Sequence, residues 1–174
     1  QVLNFNRIED NEDSLLILSR IELVSFSHSL FSVYEEDKRL TFLFETNKAK
    51  IYADMDAIKL GVILDSLLSN AVKFTPDGGS IRLSLFYREE TGLVDICVSD
   101  TGSGIPPRDI PYIFQRFFQS PHSGNKEGTG IGLYLVKTYT ELHGGHITGV
   151  TSEEGKGTSV GLNIPVIAVE EEEI

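Results

Sequence analysis

Asn70 and Lys73 carry the first pair of groups that could do chemistry together. A helix advances about 100° per residue, so Ser66, Asn70, Lys73 and Phe74 fall within about 100° of arc, while Leu60, Leu64, Leu67 and Ala71 centre roughly 100° round. One flank of such a helix packs, and the neighbouring flank is polar. A side-chain amide oxygen and an ammonium group one turn apart suit a magnesium ion and the phosphate it neutralises, because Mg²⁺ takes oxygen ligands and shares them with phosphate. The same pair also suits a loop cap beside a solvated lysine.

A second group is Asp100. In a strand ending there, period-two alternation puts Val94, Ile96, Val98 and Asp100 on one face, which sets a carboxylate at the rim of the core. Such a group needs donors, since burying it unpaired costs several kcal/mol. The exocyclic amine of a purine would serve, and so would nearby backbone N–H groups. The following Thr101-Gly102-Ser103-Gly104-Ile105-Pro106 lets the backbone pass close to a flat ligand or make a plain turn. Gly128-Thr129-Gly130-Ile131-Gly132-Leu133 is the third group. It opens a helix, and free N–H groups with a positive dipole end suit phosphate. Its spacing matches neither a P-loop nor a dinucleotide fingerprint, and no HRD or DFG triplet points to a protein-kinase fold.

The elements that must position these groups follow from periodicity. Residues 22–34 repeat apolar side chains at helical spacing through Leu23, Phe26, Leu30 and Val33. Short strands are expected at 40–44 and 50–53. A long helix is expected over 56–74, stopped by Pro76 and Gly78-Gly79. Strands at 80–87 and 93–100 flank a turn at Glu90-Thr91-Gly92. Residues 103–132 read as long loop with a helical island at 110–118, then a helix at 130–143 and strands at 146–152 and 159–164. The expected fold is α+β: a two-layer sandwich with helices on one face of a mixed, mostly antiparallel sheet.

Composition narrows the function classes. The chain of 174 residues suits one domain, and its 40% hydrophobic and 24% charged residues are near globular averages. Basic residues number 15 against 26 acidic, a net charge of -11, which disfavours nucleic acid. An anionic ligand therefore needs a local device. No apolar run reaches the roughly 18 residues of a membrane span, and residues 1–13 lack signal-peptide character. A start at glutamine suggests a piece of a longer protein. Cys97 reads as a core-packing residue in a reduced setting, and His28, His122, His143 and His146 are too scattered for zinc.

Taken together, the three groups resemble the catalytic ATP-binding domain of bacterial sensor histidine kinases, within the superfamily that includes gyrase, mismatch-repair ATPases and a heat-shock chaperone. The resemblance runs over residues 22–165. Leu67-Leu68-Ser69-Asn70-Ala71-Val72-Lys73-Phe74-Thr75-Pro76 looks like the N box and Asp100-Thr101-Gly102-Ser103-Gly104-Ile105 like G1. Ile113-Phe114-Gln115-Arg116-Phe117-Phe118 looks like the F box. Residues 128–133 look like G2, and Gly155-Lys156-Gly157-Thr158 like the last glycine motif. The Bergerat-type fold is implied, with ATP and Mg²⁺ as cofactors.

The resemblance implies that Asn70 binds Mg²⁺, that Lys73 and Arg116 hold phosphates, and that Asp100 reads the adenine amino group with Phe74 flanking the base. Gly102, Gly104 and Ile105 would shape the purine pocket and Thr158 would close its far side. Gly128, Thr129, Gly130, Gly132 and Leu133 would line the triphosphate, under a mobile lid at 119–127. Two features depart from the family. Ser66 stands where Asn or Glu is usual one turn before the magnesium asparagine, and Asp65, about 140° round the helix, does not replace it. No segment resembles the phosphoacceptor motif, and His28 lacks its context.

The implied organisation is the end of a dimerisation helix and a hinge at 1–13, the catalytic domain at 14–166, and an acidic tail or linker at 167–174. The implied activity is transfer of the ATP γ-phosphoryl group to a histidine on a separate dimerisation domain of the same parent. That parent is expected to be a homodimeric, inner-membrane two-component sensor with this domain in the cytoplasm, signalling to a response regulator receiver domain. A nucleotide-sensing module without catalysis and an anti-sigma-type serine kinase are the alternatives.

Overall fold

The computed structural model describes residues 15–118 and 132–171. The chain runs β1 (Leu18–Glu22), α1 (Leu23–Tyr34), β2 (Thr41–Thr46), β3 (Lys50–Asp56), α2 (Ala57–Phe74), β4 (Ser80–Arg88) and β5 (Leu93–Asp100). A 3-10 turn at Ile110–Tyr112 follows, then α3 (Gly132–Leu142), β6 (His146–Glu153), β7 (Gly157–Pro165) and β8 (Ala168–Glu170). The main sheet has five strands in the order β2-β4-β5-β7-β6, in which β2 and β4 are parallel and the other pairs antiparallel. A small antiparallel sheet, β1-β3-β8, stands beside it. This is the expected α+β architecture, with one more sheet than the sequence pattern announced.

Helix α2 is the central element. Asp56 caps it by accepting the Lys59 N–H at 3.1 Å, and Thr75 ends it in an extended conformation, as a residue before proline favours. Leu60, Ile63, Leu64, Leu67, Leu68 and Ala71 form its buried stripe. They pack with Ile81, Leu83, Leu85, Val94, Ile96, Val98, Val160, Leu162 and Ile164 from the main sheet and with Phe31 from α1. Fully burying such side chains contributes about 1.5–3 kcal/mol each.

Several expectations are corrected. The island at 110–118 shrinks to the 3-10 turn, and Phe117 adopts φ 64°, which no helix continues. The helix expected from residue 22 begins at Leu23, because Glu22 ends β1 and turns its carboxylate back onto the N–H groups of Val24, Ser25 and Ile51. Within the run read as an acidic tail, Ala168–Glu170 pairs with β3, and Glu170 stands 3.8 Å from Lys50 in an ion pair. Cys97 is half-buried on the face away from Val94, Ile96 and Val98, with Sγ 3.6 Å from the Ser99 hydroxyl, so it lies outside the main core. The hinge at 1–13 and the lid at 119–127 lie outside the described residues, as do Gly128, Thr129 and Gly130. Among the described residues, no helix is long and apolar enough to cross a membrane.

Candidate functional site

Antiparallel register lays Ile81, Asp100, Thr158 and Ser152 in one row across β4, β5, β7 and β6, at the end of the main sheet. Asp100 is on the core-side face, as alternation requires. Its carboxylate accepts the Gly102 N–H at 2.8 Å and the Thr158 backbone N–H. Burial pushes the Asp100 carboxyl above the usual carboxylate range, against the opposing pull of those two donors. The group is thus desolvated and still has lone pairs to offer.

The loop after Asp100 is pinned to α2. Ser103 donates its N–H to the Phe74 carbonyl oxygen at 3.1 Å. A Cβ on Gly102 would stand 2.5 Å from that same oxygen and 2.9 Å from the Asp100 carboxylate, so only glycine allows the approach. Gly104 adopts φ 75°, and a Cβ there would meet the Glu153 carbonyl oxygen at 2.3 Å. The loop is fastened on its other side by the Gly155 N–H, which donates to the Ser103 carbonyl at 2.8 Å, and by the Ile105 N–H, which donates to Ser152 Oγ at 2.7 Å. Phe74, Asp100, Gly102, Gly104, Ile105 and Thr158 therefore come together at one end of α2.

The other end of the site follows α2 back by two turns. Gly132, the first residue of α3, faces Ser66, and a Cβ added to it would sit in ordinary contact at 3.5 Å. Leu133 packs against the core beside it. Arg116 stacks its guanidinium 5.6 Å from the Tyr134 ring centroid in the first turn of α3 and 5.2 Å from that of Phe117. Lys73 places Nζ 5.4 Å from the Phe74 ring centroid. Asn70 and Lys73 lie on α2 between Ser66, which meets α3, and Phe74, which meets the Asp100 loop. The Tyr34 hydroxyl donates to the Asp65 carboxylate, so that acid is engaged with α1.

Ser152, which accepts the Ile105 N–H and pairs with Thr158, is a neighbour of Asp100 that the sequence reading passed over. It belongs to β6, far along the chain from Asp100, and only the alternation that groups it with Val150 could have pointed to its face. His143, one of the histidines too scattered for zinc, serves a different end of α2: its Nε2 accepts the Asp56 N–H at 3.0 Å, and its Nδ1 meets the Tyr139 carbonyl at 2.7 Å. Among the described residues no group of three or more His, Cys, Asp and Glu side chains is placed to hold a metal ion.

The two-layer α+β sandwich thus sets a carboxylate at a sheet end and runs a polar helix flank from it to the start of a second helix. The chain belongs to the family of histidine kinase-, DNA gyrase B- and HSP90-like ATPases, whose model matches residues 55–168, and it is an ATP-binding catalytic domain with sensor histidine kinase homologues. It is similar to sensor histidine kinase WalK of Bacillus subtilis (strain 168), 32% identical over 160 residues, covering 90% of this chain and 26% of that one. Hybrid signal transduction histidine kinase D of Dictyostelium discoideum is 35% identical over 155 residues, covering 84% of this chain and 10% of that one. The crystal structure of full-length ShkA in complex with AMPPNP is similar with a TM-score of 0.75 and 25% identity, covering 91% of this chain and 33% of that one. The chain thus spans 26% or less of the length of these two curated relatives.

Proposed function

We propose that this domain binds ATP with Mg²⁺ and passes the γ-phosphoryl group to a histidine on a dimerisation domain of the same parent protein. One observation carries the reading. Helix α2 touches the start of α3 at Ser66 and the Asp100 loop at Phe74, about 12 Å apart along its axis, and presents Asn70 and Lys73 between them. That span suits a purine at one end and a triphosphate at the other.

In this reading Asp100 accepts from the adenine amine, with Phe74, Gly102, Gly104, Ile105 and Thr158 around the base. Lys73 and Arg116 pair with phosphate oxygens, while Gly128, Thr129, Gly130, Gly132 and Leu133 line the triphosphate. The donor set fits Mg²⁺, since a site with one amide oxygen, that of Asn70, leaves the other positions to phosphate and water, as this ion commonly requires. When bound, the ion would neutralise charge on the phosphate oxygens. The nucleophile comes from another domain, so the work of this one is positioning and charge neutralisation. Ser66, a poor base, suits that division: transfer to histidine proceeds with little hydrolysis by water.

The names of the relatives support a two-component parent, and the hybrid relative supports a response regulator receiver domain as partner. The homodimeric, membrane-sensor parent with this domain in the cytoplasm belongs to the same proposal. The test mixes the domain with a separately made acceptor domain and γ-labelled ATP. Acid-labile label on the acceptor is expected. Acid-stable label would identify a serine kinase, and binding of ATP with no label at any protein ratio would leave a nucleotide-sensing module.

A further inference from the structure

The row Ile81, Asp100, Thr158, Ser152 ends on a hydroxyl whose hydrogen bonds can be counted. Ser152 Oγ receives the Ile105 N–H at 2.7 Å, and it lies 3.1 Å from the Gly157 carbonyl oxygen and 2.9 Å from Thr158 Oγ1. A serine hydroxyl has one proton and two lone pairs. The Gly157 carbonyl can only accept, so it takes the Ser152 proton; the Ile105 N–H occupies one lone pair; the lone pair that remains accepts the proton of Thr158. Thr158 Oγ1 is then left with lone pairs alone on the sheet face it shares with Asp100.

Asp100 is the cross-strand neighbour of Thr158 and presents acceptor oxygens as well. We infer that Ser152 is a positioning residue for base selection: it fixes the Thr158 hydroxyl as an acceptor, so that the row takes a purine bearing an exocyclic amine and rejects one bearing an oxygen there. This rests on the adenine-nucleotide reading above. An oxo base would set acceptor against acceptor in a half-buried place, where unpaired polar groups are costly, whereas an amine supplies the missing donors.

The test compares ATP with inosine triphosphate, whose base carries oxygen in place of the amine, by calorimetry on the whole chain. The unaltered protein binds ATP the more tightly. In Ser152→Ala the Kd for ATP rises about five- to tenfold while that for inosine triphosphate stays within about twofold. Ser152→Thr restores the preference. In a Thr158→Val background, adding Ser152→Ala changes ATP affinity by less than about twofold, because the route through the threonine hydroxyl is already gone. Equal weakening of both nucleotides, an unchanged ATP affinity, or a full Ser152 effect in the Thr158→Val background overturns the inference while ATP binding by the unaltered chain stands. No ATP binding by the unaltered chain would sink the adenine reading itself. Should Ser152→Ala lose its nucleotide-free melting transition, Ser152→Cys, similar in shape and a weak acceptor, replaces it in every comparison.

Discussion

At the Asp100 end of the site the chain is held by its own backbone. Carbonyls of Phe74 and Glu153 approach to within the space a single Cβ would need, and N–H groups of Gly102, Ser103, Ile105 and Gly155 tie the loop to Asp100, α2, β6 and the turn before β7. At the other end the neighbours are side chains: Lys73 lies beside the Phe74 ring and Arg116 beside the rings of Phe117 and Tyr134, with Asn70 on α2 between Ser66 and Phe74. The difference teaches which function each end suits. In the proposed reading a flat base of fixed shape meets the rigid wall, and a triphosphate, which changes length and charge as it reacts, meets long side chains that can follow it.

The strongest way to break this comparison is Gly102→Ala. A methyl group 2.5 Å from the Phe74 carbonyl must push the loop from α2, so a stability loss of about 2–3 kcal/mol is expected together with loss of nucleotide binding. Thermal unfolding and calorimetry measure the two. If the Asp100 end tolerates the methyl group, it is not the rigid half of the site.

Asp100→Asn separates function from stability at the same end. ATP affinity is expected to fall by about 30- to 150-fold, the worth of a charged hydrogen bond of about 2–3 kcal/mol. The native carboxyl lies above its usual range, so its ionisation lowers stability as pH rises from the unfolded value near 3.9 toward the native one. Removing the charge therefore leaves the nucleotide-free protein at neutral pH as stable as the unaltered chain, or more so. A lower melting temperature for Asp100→Asn would contradict this sign.

Asn70→Ala probes the flexible end. A loss of about tenfold in ATP affinity is expected with Mg²⁺ present and little change without it, with no effect on folding. Equal losses with and without metal would deny Asn70 a part in holding the ion. The smallest effect is expected on the sheet's other face, where Cys97→Ser should alter stability by no more than about 0.5 kcal/mol and leave nucleotide affinity as it is.

Much of this arrangement was legible before any coordinates. The stripe through Leu60, Leu64, Leu67 and Ala71 gave α2 and its polar flank, and the alternation of Val94, Ile96, Val98 gave the face of Asp100. The same alternation assigns Cys97 to the opposite face, so the expectation of core packing overlooked a signal that was present. The strands β1 and β8 carried no such signal. They are short strands at the edges of a small sheet, recruited by hydrogen bonds to β3, and Leu18–Glu22 runs straight into a helix with no turn residue between. The helical island failed at Phe117, where backbone conformation overrode apolar spacing.

By itself the sequence determined which residues line the buried face of α2 and of β5 and where α2 stops, because side-chain periodicity, proline and glycine act within a few residues. It thereby set Asn70 and Lys73 on one helical flank and Asp100 at a strand end. Only the tertiary structure decided that Ser152 stands two strands from Asp100 in the same row, that Gly102 touches the Phe74 carbonyl, and that Gly132 meets Ser66. Those are contacts between segments distant along the chain, and they are fixed by strand register and helix packing, which no local pattern encodes.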